Sequence, residues 1–154
     1  MSDDNTHRNG KLLRQARKID AEAIYELLWE ARKDIPIKDS FFENPNSKEW
    51  IEGYCKRRAV WIVELDGKIA GVMVMYAFEI FYLIVSSNYR RIGVGRTLIE
   101  QAKRYSINKR WNTLKAKANP NNTPIQNLLQ QEEFVHNRGE SDLTWNVYYW
   151  KIHR

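Results

Sequence analysis

Segments of strand and helix character alternate along the 154 residues and predict one α+β domain. Three observations carry this prediction. Asp66-Gly67 separates two apolar, β-branched runs, the pattern of a two-residue hairpin turn. Apolar side chains recur at helical spacing after Asp20, after Ser47 and after Gly93. Between Tyr82 and Ile99 an apolar strand passes through a short polar turn directly into a helix, with glycine at 93 and 95.

The elements follow in order. Residues 1–10 read as a disordered tail, which leaves 11–154 as the single domain. Lys11 to Arg17 is a short strand. Asp20 caps a helix with Ala23, Ile24, Leu27, Leu28 and Ala31 on one side. Residues 33–46 form a loop holding Pro36, Pro45 and Phe41-Phe42. Ser47 caps a second helix, Lys48 to about Arg57, with Trp50, Ile51 and Tyr54 on one face. Strands are expected at 59–65, 68–76 and 78–85. A helix then spans Gly93 to Asn108, with Val94, Leu98, Ile99 and Ala102 inward. A strand at 114–118 precedes a helix at 124–132 capped by Asn122 or Thr123. Short strands begin at Phe134 and at Leu143, the last running to Ile152.

Composition narrows the function. The formal net charge is +6, and the excess is local. Residues 90, 91, 96, 103, 104, 109, 110, 115 and 117 are all Lys or Arg, against the single acid Glu100. That suits a ligand with several phosphates, or nucleic acid. The glycine turn accounts for the charge more specifically, which ranks nucleic acid low. Cys55 is the only cysteine, so no internal disulfide forms and a reducing, cytoplasmic setting is expected. It lies in a helix and reads as packing. The N-terminus has no basic n-region or apolar h-region. The apolar stretch 69–85 is broken by Gly71 and Glu79 and reads as two strands, so no membrane partner is expected. Histidines stand only at 7, 136 and 153, and no Cys/His cluster suggests a metal.

The turn at 86–93 builds an anion site. The first N–H groups of a helix lack partners inside it and can point at a phosphate. Glycine allows close approach because no Cβ intervenes. No Gly-Lys-Ser/Thr follows, so this is not a Walker A loop; position 98 is Leu, so it is not G-x-G-x-x-G. Arg90-x-x-Gly93-x-Gly95 after a strand instead resembles the acyl-CoA signature of the GCN5-related N-acetyltransferases. Residues 14–28 resemble that family's opening strand and helix. Asn119-Pro-Asn-Asn-Thr-Pro through Phe134 is similar to its later motif, N-P-x-N-x-P-A-x-x-x-Y-x-x-x-G-F. The resemblance implies a mixed, mostly antiparallel sheet flanked by helices, and N-acetyl transfer from acetyl-CoA to a primary amine in a ternary complex.

It further implies that Leu83, Ile84 and Val85 pair with the pantetheine arm, and that the backbone of Arg91, Ile92, Gly93, Val94, Gly95 and Arg96 holds the diphosphate beside Arg90. Asn122 matches the family's Asn, which either touches the CoA arm or caps the helix. Glu79, eleven residues before Arg90 within Glu79-Ile80-Phe81-Tyr82, matches the general-base position of the histone-acetyltransferase branch. An alkylamine is protonated at neutral pH, so a base must take its proton. Glu79 as a solvated strand-start residue is the competing reading. The chain departs from the motif at Leu129, where many members place a Tyr general acid, and at Glu133, where they place Gly. Leu129 motivates an alternative, a non-catalytic acyl-CoA-binding or regulatory domain. Trp29, Glu30, Asp34, Asp39, Phe41, Phe42 and Glu43 lie where the family places its acceptor and suit a cationic amine, but core packing and a solvated loop are the favoured reading of them; the amine's identity stays open, as does a homodimer.

Overall fold

A computed structural model describes residues 6–8, 10–35 and 37–152. Eight strands make one sheet: β1 (Thr6–Arg8), β2 (Lys11–Gln15), β3 (Val60–Leu65), β4 (Lys68–Tyr76), β5 (Glu79–Val85), β6 (Thr113–Ala118), β7 (Val135–Asn137) and β8 (Asn146–Lys151). Their spatial order is β1-β2-β3-β4-β5-β6-β8-β7. Every neighbouring pair is antiparallel except β5 and β6, which are parallel. The helices are α1 (Ala21–Glu30), α2 (Asp39–Glu43), α3 (Ser47–Lys56), α4 (Val94–Asn108) and α5 (Thr123–Gln131).

Two apolar clusters place the sheet between two helical layers. On one face Trp61, Val63, Met73, Ile80, Leu83, Leu114, Ala116 and Tyr148 pack with Val94, Leu98, Ile99 and Ala102 of α4 and with Ile125 and Leu129 of α5. On the other, Val60, Ile62, Val72 and Ile84 pack with Ile24, Leu27 and Leu28 of α1 and with Ile51 and Cys55 of α3. β3 is buried on both faces from Val60 to Val63, so this part of its sequence is apolar and does not alternate; Glu64 breaks the run and is paired with Arg14. Burial pushes the Cys55 thiol up to about 11, which leaves it a packing group.

The Asp66-Gly67 hairpin forms as expected, with φ of 52° and 76°, the left-handed pair that such a turn requires. Other expectations are corrected. Thr6–Arg8 of the expected tail is a strand paired with β2; residues 1–5 and 9 lie outside the described residues. The loop at 33–46 contains the short helix α2. The last strand begins at Asn146, and Leu143 is fully exposed.

Neither Asp20 nor Ser47 caps its helix through its side chain. Asp20 is turned instead to Arg14, whose guanidinium donates to both of its oxygens at 2.8 and 2.9 Å, and it also accepts from Arg17 N–H at 2.7 Å. Arg14 reaches Glu64 of β3 as well. Burial alone would raise Asp20, but these hydrogen bonds outweigh it and hold the carboxyl below its usual range. Ser47 donates its hydroxyl to Phe41 O and to Asn44 O, tying α3 to α2.

Candidate functional site

The site begins where β5 and β6 part. Their parallel ladder holds only two pairs, Glu79 with Lys115 and Ile80 with Ala116. At the next step β5 carries a bulge: Val74 pairs with Tyr82 and Met75 with Ile80, which leaves Phe81 as the extra residue. A bulge bends its strand and ends pairing. β6 meanwhile continues along β8 to Ala118. Between Phe81 and Val85, β5 therefore has an edge with no strand beside it among the described residues, next to a widening split.

Helix α4 stands at the open end of that split. Gly93 precedes it with φ +83°, and Arg91 is also left-handed at +66°. Thr97 N–H closes the first helical bond, onto Gly93 O at 3.0 Å. The amides of Val94, Gly95 and Arg96 thus have no intrahelical partner. They carry the positive end of the helix dipole. Lys11 is buried in β2, and its Nζ donates to Ile92 O at 2.8 Å, which anchors the turn from below.

Three glycine contacts fix where this helix end sits. A Cβ at Gly71 of β4 would lie 2.5 Å from Val94 Cγ1, so the first turn of α4 rests directly on a strand. A Cβ at Gly95 would lie 2.6 Å from Leu128 Cδ2, so α4 and α5 touch there. A Cβ at Gly93 would come within 2.9 Å of Lys11 Nζ. The start of α5 is held in turn by Gln126, whose Oε1 accepts from Tyr148 OH at 2.8 Å and from Asn146 Nδ2 at 2.6 Å.

The result is a cleft of about 770 Å³, a volume ordinary for a cofactor site. Of the expected ligand-holding residues, Leu83, Ile84, Val85, Arg90, Arg91, Gly93, Val94, Gly95, Arg96 and Asn122 line it. Ile92 does not: its side chain is half exposed and its carbonyl is taken by Lys11. Asn122 caps α5, accepting from Ile125 N–H at 3.3 Å, while also facing the cleft. Arg91 makes no ion pair among the described residues. Arg96 lies 3.3 Å from Glu100 and 3.6 Å from the largely buried Glu132, and Arg90 lies 4.0 Å from Asp34; the Glu100 and Asp34 pairs are exposed, where such pairs are weak.

Glu79 is not on the cleft wall. It sits at the closed end of the split on the face opposite α4 and α5, between two lysines of β6. Its Oε1 is 3.8 Å from Lys115 Nζ and its Oε2 is 3.2 Å from Lys117 Nζ. Oε2 is buried and receives no hydrogen bond, so the Lys117 contact satisfies its charge but not its hydrogen-bonding geometry. Lys115 also lies 3.3 Å from Glu140, and Tyr149 OH donates to both Glu140 oxygens at 2.9 Å. Burial alone would lower Lys115, but the Glu140 and Glu79 carboxylates raise it above the usual lysine range.

The basic segment is therefore divided. Lys103, Lys115 and Lys117 are engaged with Glu132, Glu79 and Glu140, and only the arginines of the turn face the cleft. Leu129 is buried among core residues, while its neighbour Leu128 lines the cleft. Glu133 is left-handed at φ +70°. The sequence reading missed Lys11, Gly71 and the two lysines. Lysines alternating with alanines from 115 to 118 did signal one charged strand face. Lys11 and Gly71 carried no local signal.

The Acetyltransferase (GNAT) family model matches residues 21–134. The chain belongs to this family. Solved structures share its fold at low identity. PaiA N-acetyltransferase from Thermoplasma acidophilum, in complex with coenzyme A, is 16% identical with a TM-score of 0.75, covering 92% of this chain and 99% of that one. Microcin C7 self-immunity acetyltransferase MccE, in complex with acetyl-CoA and AMP, is 16% identical with a TM-score of 0.71, covering 94% of each. Ribosomal-protein-alanine N-acetyltransferase from Brucella melitensis is 18% identical with a TM-score of 0.71, covering 92% and 99%. As a family member this chain is an acetyltransferase by class. No helix among its described residues is long and apolar enough to cross a membrane.

Proposed function

We propose that the chain transfers the acetyl group of acetyl-CoA to a primary amine bound at the same time, without a metal. The observation that carries this reading is the unpaired edge of β5 leading to the free amides of α4. An extended amide-bearing arm can add to such an edge as a further strand. A diphosphate fits the helix end, where Gly93 and Gly95 keep side chains away and Arg91 supplies charge. Binding acetyl-CoA would supply an activated acyl group as a thioester.

The protein's own residues then have separate tasks. Leu83, Ile84 and Val85 offer backbone groups along the arm, and Val94, Gly95 and Arg96 donate their N–H groups to the phosphates. Glu79 takes the proton of the amine. Its place supports this: it faces the side of the sheet away from α4 and α5, so an amine arriving there meets the carboxylate before the cleft. A thiolate with an ordinary pKa near 8.5 is a tolerable leaving group, so Leu129 does not forbid turnover. The acidic and aromatic residues of 29–43 suit a cationic acceptor. Proteins and small amines both fit that description.

The test is calorimetric titration with acetyl-CoA, followed by release of free thiol against a pooled amine and peptide library. Micromolar binding with thiol release is expected. Arg91→Glu keeps a non-glycine residue in the same left-handed conformation but reverses its charge. It should weaken acetyl-CoA by at least about tenfold, the value of one charge-assisted contact. Unchanged affinity would remove the turn as the diphosphate site. Binding without thiol release from any amine would favour the non-catalytic alternative.

A further inference from the structure

The amine position opposite Glu79 already holds an amine of this chain. Lys117 is the first residue of β6 beyond its last pair with β5, so it stands at the apex of the split. Leu114, Ala116 and Ala118 of the same strand point into the core beneath α4 and α5. Alternation therefore sends Lys117 to the opposite face. Its ammonium lies 3.2 Å from Glu79 Oε2, 5.7 Å from the centre of the Phe81 ring and 5.6 Å from that of Trp145. Trp145 packs in turn on Tyr82, with ring centres 6.4 Å apart. A carboxylate with two aromatic faces is a receptor for an alkylammonium ion. Phe81, the bulged residue that opens the split, is one of its walls.

We propose that Lys117 is an internal acetyl acceptor: with acetyl-CoA in the cleft, the protein acetylates its own Lys117. This rests on the acetyltransferase reading above. In the step, Lys117 gives one proton to Glu79. Its Nζ lone pair forms the new C–N bond to the acetyl carbon, and the carbon–sulfur bond breaks with its electron pair on sulfur. The second nitrogen proton leaves to that sulfur, giving free CoA thiol, and Glu79 returns its proton to water. Lys117 comes from the face opposite α4 and α5, the side on which Glu79 lies. It is thus placed as the attacking group and not as the missing acid at Leu129. Acetylation removes the ammonium from between Phe81 and Trp145, and leaves Glu79 paired with Lys115 alone. An external cationic amine then has a place to bind.

The experiment incubates the full chain with acetyl-CoA and no acceptor, and follows site occupancy by intact mass and peptide mapping. Lys117 should gain one acetyl group at a rate independent of protein concentration, and faster than the exposed lysines Lys56 and Lys109. Glu79→Gln should slow Lys117 about a hundredfold, the low end for loss of a positioned base, and leave the exposed lysines unchanged. If calorimetry shows acetyl-CoA bound while Lys117 reacts no faster than Lys56 and Lys109, this inference fails and the acetyltransferase reading stands. If acetyl-CoA does not bind, both fail. Labelling of Lys117 that rises with protein concentration would also overturn it, since the acceptor would then be a second molecule.

Discussion

The seat of α4 on β4 can be tested without any ligand. Gly71 lies opposite Val63 and Val85, and a Cβ there would meet Val94 Cγ1 at 2.5 Å, with Ile84 O and Leu98 Cδ1 both at 3.2 Å. Carbon atoms rest at about 3.5–4.0 Å, so the overlap with Val94 is roughly 1 Å. Val94 is β-branched and held in one rotamer by its helix, and Ile84 O belongs to the backbone, so neither side yields easily. Gly71→Ala must then lift the first turn of α4. Overpacking of this kind costs about 2 kcal/mol, a fall of roughly 4–8 °C in melting temperature for a chain of this length. Val94→Ala alone removes two buried methyl groups and also costs about 2 kcal/mol. Combined, the new methyl at 71 occupies the space vacated at 94. The double variant should be more stable than the sum of the two by at least about 1 kcal/mol. Acetyl-CoA affinity should fall in Gly71→Ala and partly return in the double variant, because the amides of residues 94–96 move with the helix. Thermal or urea unfolding of the four proteins measures the cycle. Additivity within about 0.5 kcal/mol would show that α4 does not rest on Gly71.

Two further outcomes are expected. Glu133→Gly should stabilise the protein by about 0.5–1 kcal/mol, since the left-handed conformation costs a Glu more than the freer unfolded chain costs a Gly; a lowered melting temperature would refute it. Asp20→Asn should lower stability at neutral pH by about 3 kcal/mol and flatten its acid dependence. The native Asp20 carboxyl is held below its unfolded value of about 3.9, so its contribution is complete above that pH and is lost as pH falls through the lower native value. Urea midpoints from pH 5 to pH 2 would decide, and an unchanged wild-type acid slope in the variant would sink the idea.

The parts legible in the sequence are those set by neighbours along the chain. The hairpin at 66–67 needs only two left-handed residues, α4 only its period and its glycine start, and the strand-to-helix turn only their succession. What escaped depends on partners far away in sequence. Asp20 and Ser47 have the composition of caps, but Arg14 and the carbonyls of Phe41 and Asn44 claim their side chains instead. β1 is three residues long, too short to show a period, and exists because β2 pairs with it.

The departures from the family motif separate along the same line. At 133 the requirement is on the backbone: φ is +70°, the glycine conformation, and an exposed Glu adopts it at some cost in stability with no consequence for chemistry. At 129 the side chain is at stake, and it is enclosed in the core while position 128 faces the cleft. A Tyr at 129 would have to displace Phe134, Ala102 or their neighbours in that cluster before its hydroxyl could approach a sulfur. Supplying the missing acid is therefore a matter of repacking α5 and not of one substitution, and the proton for the thiol has to come from elsewhere. In the proposed reaction the amine itself would carry one in excess: an alkylammonium loses two protons on becoming an amide, and Glu79 would need to accept only the first.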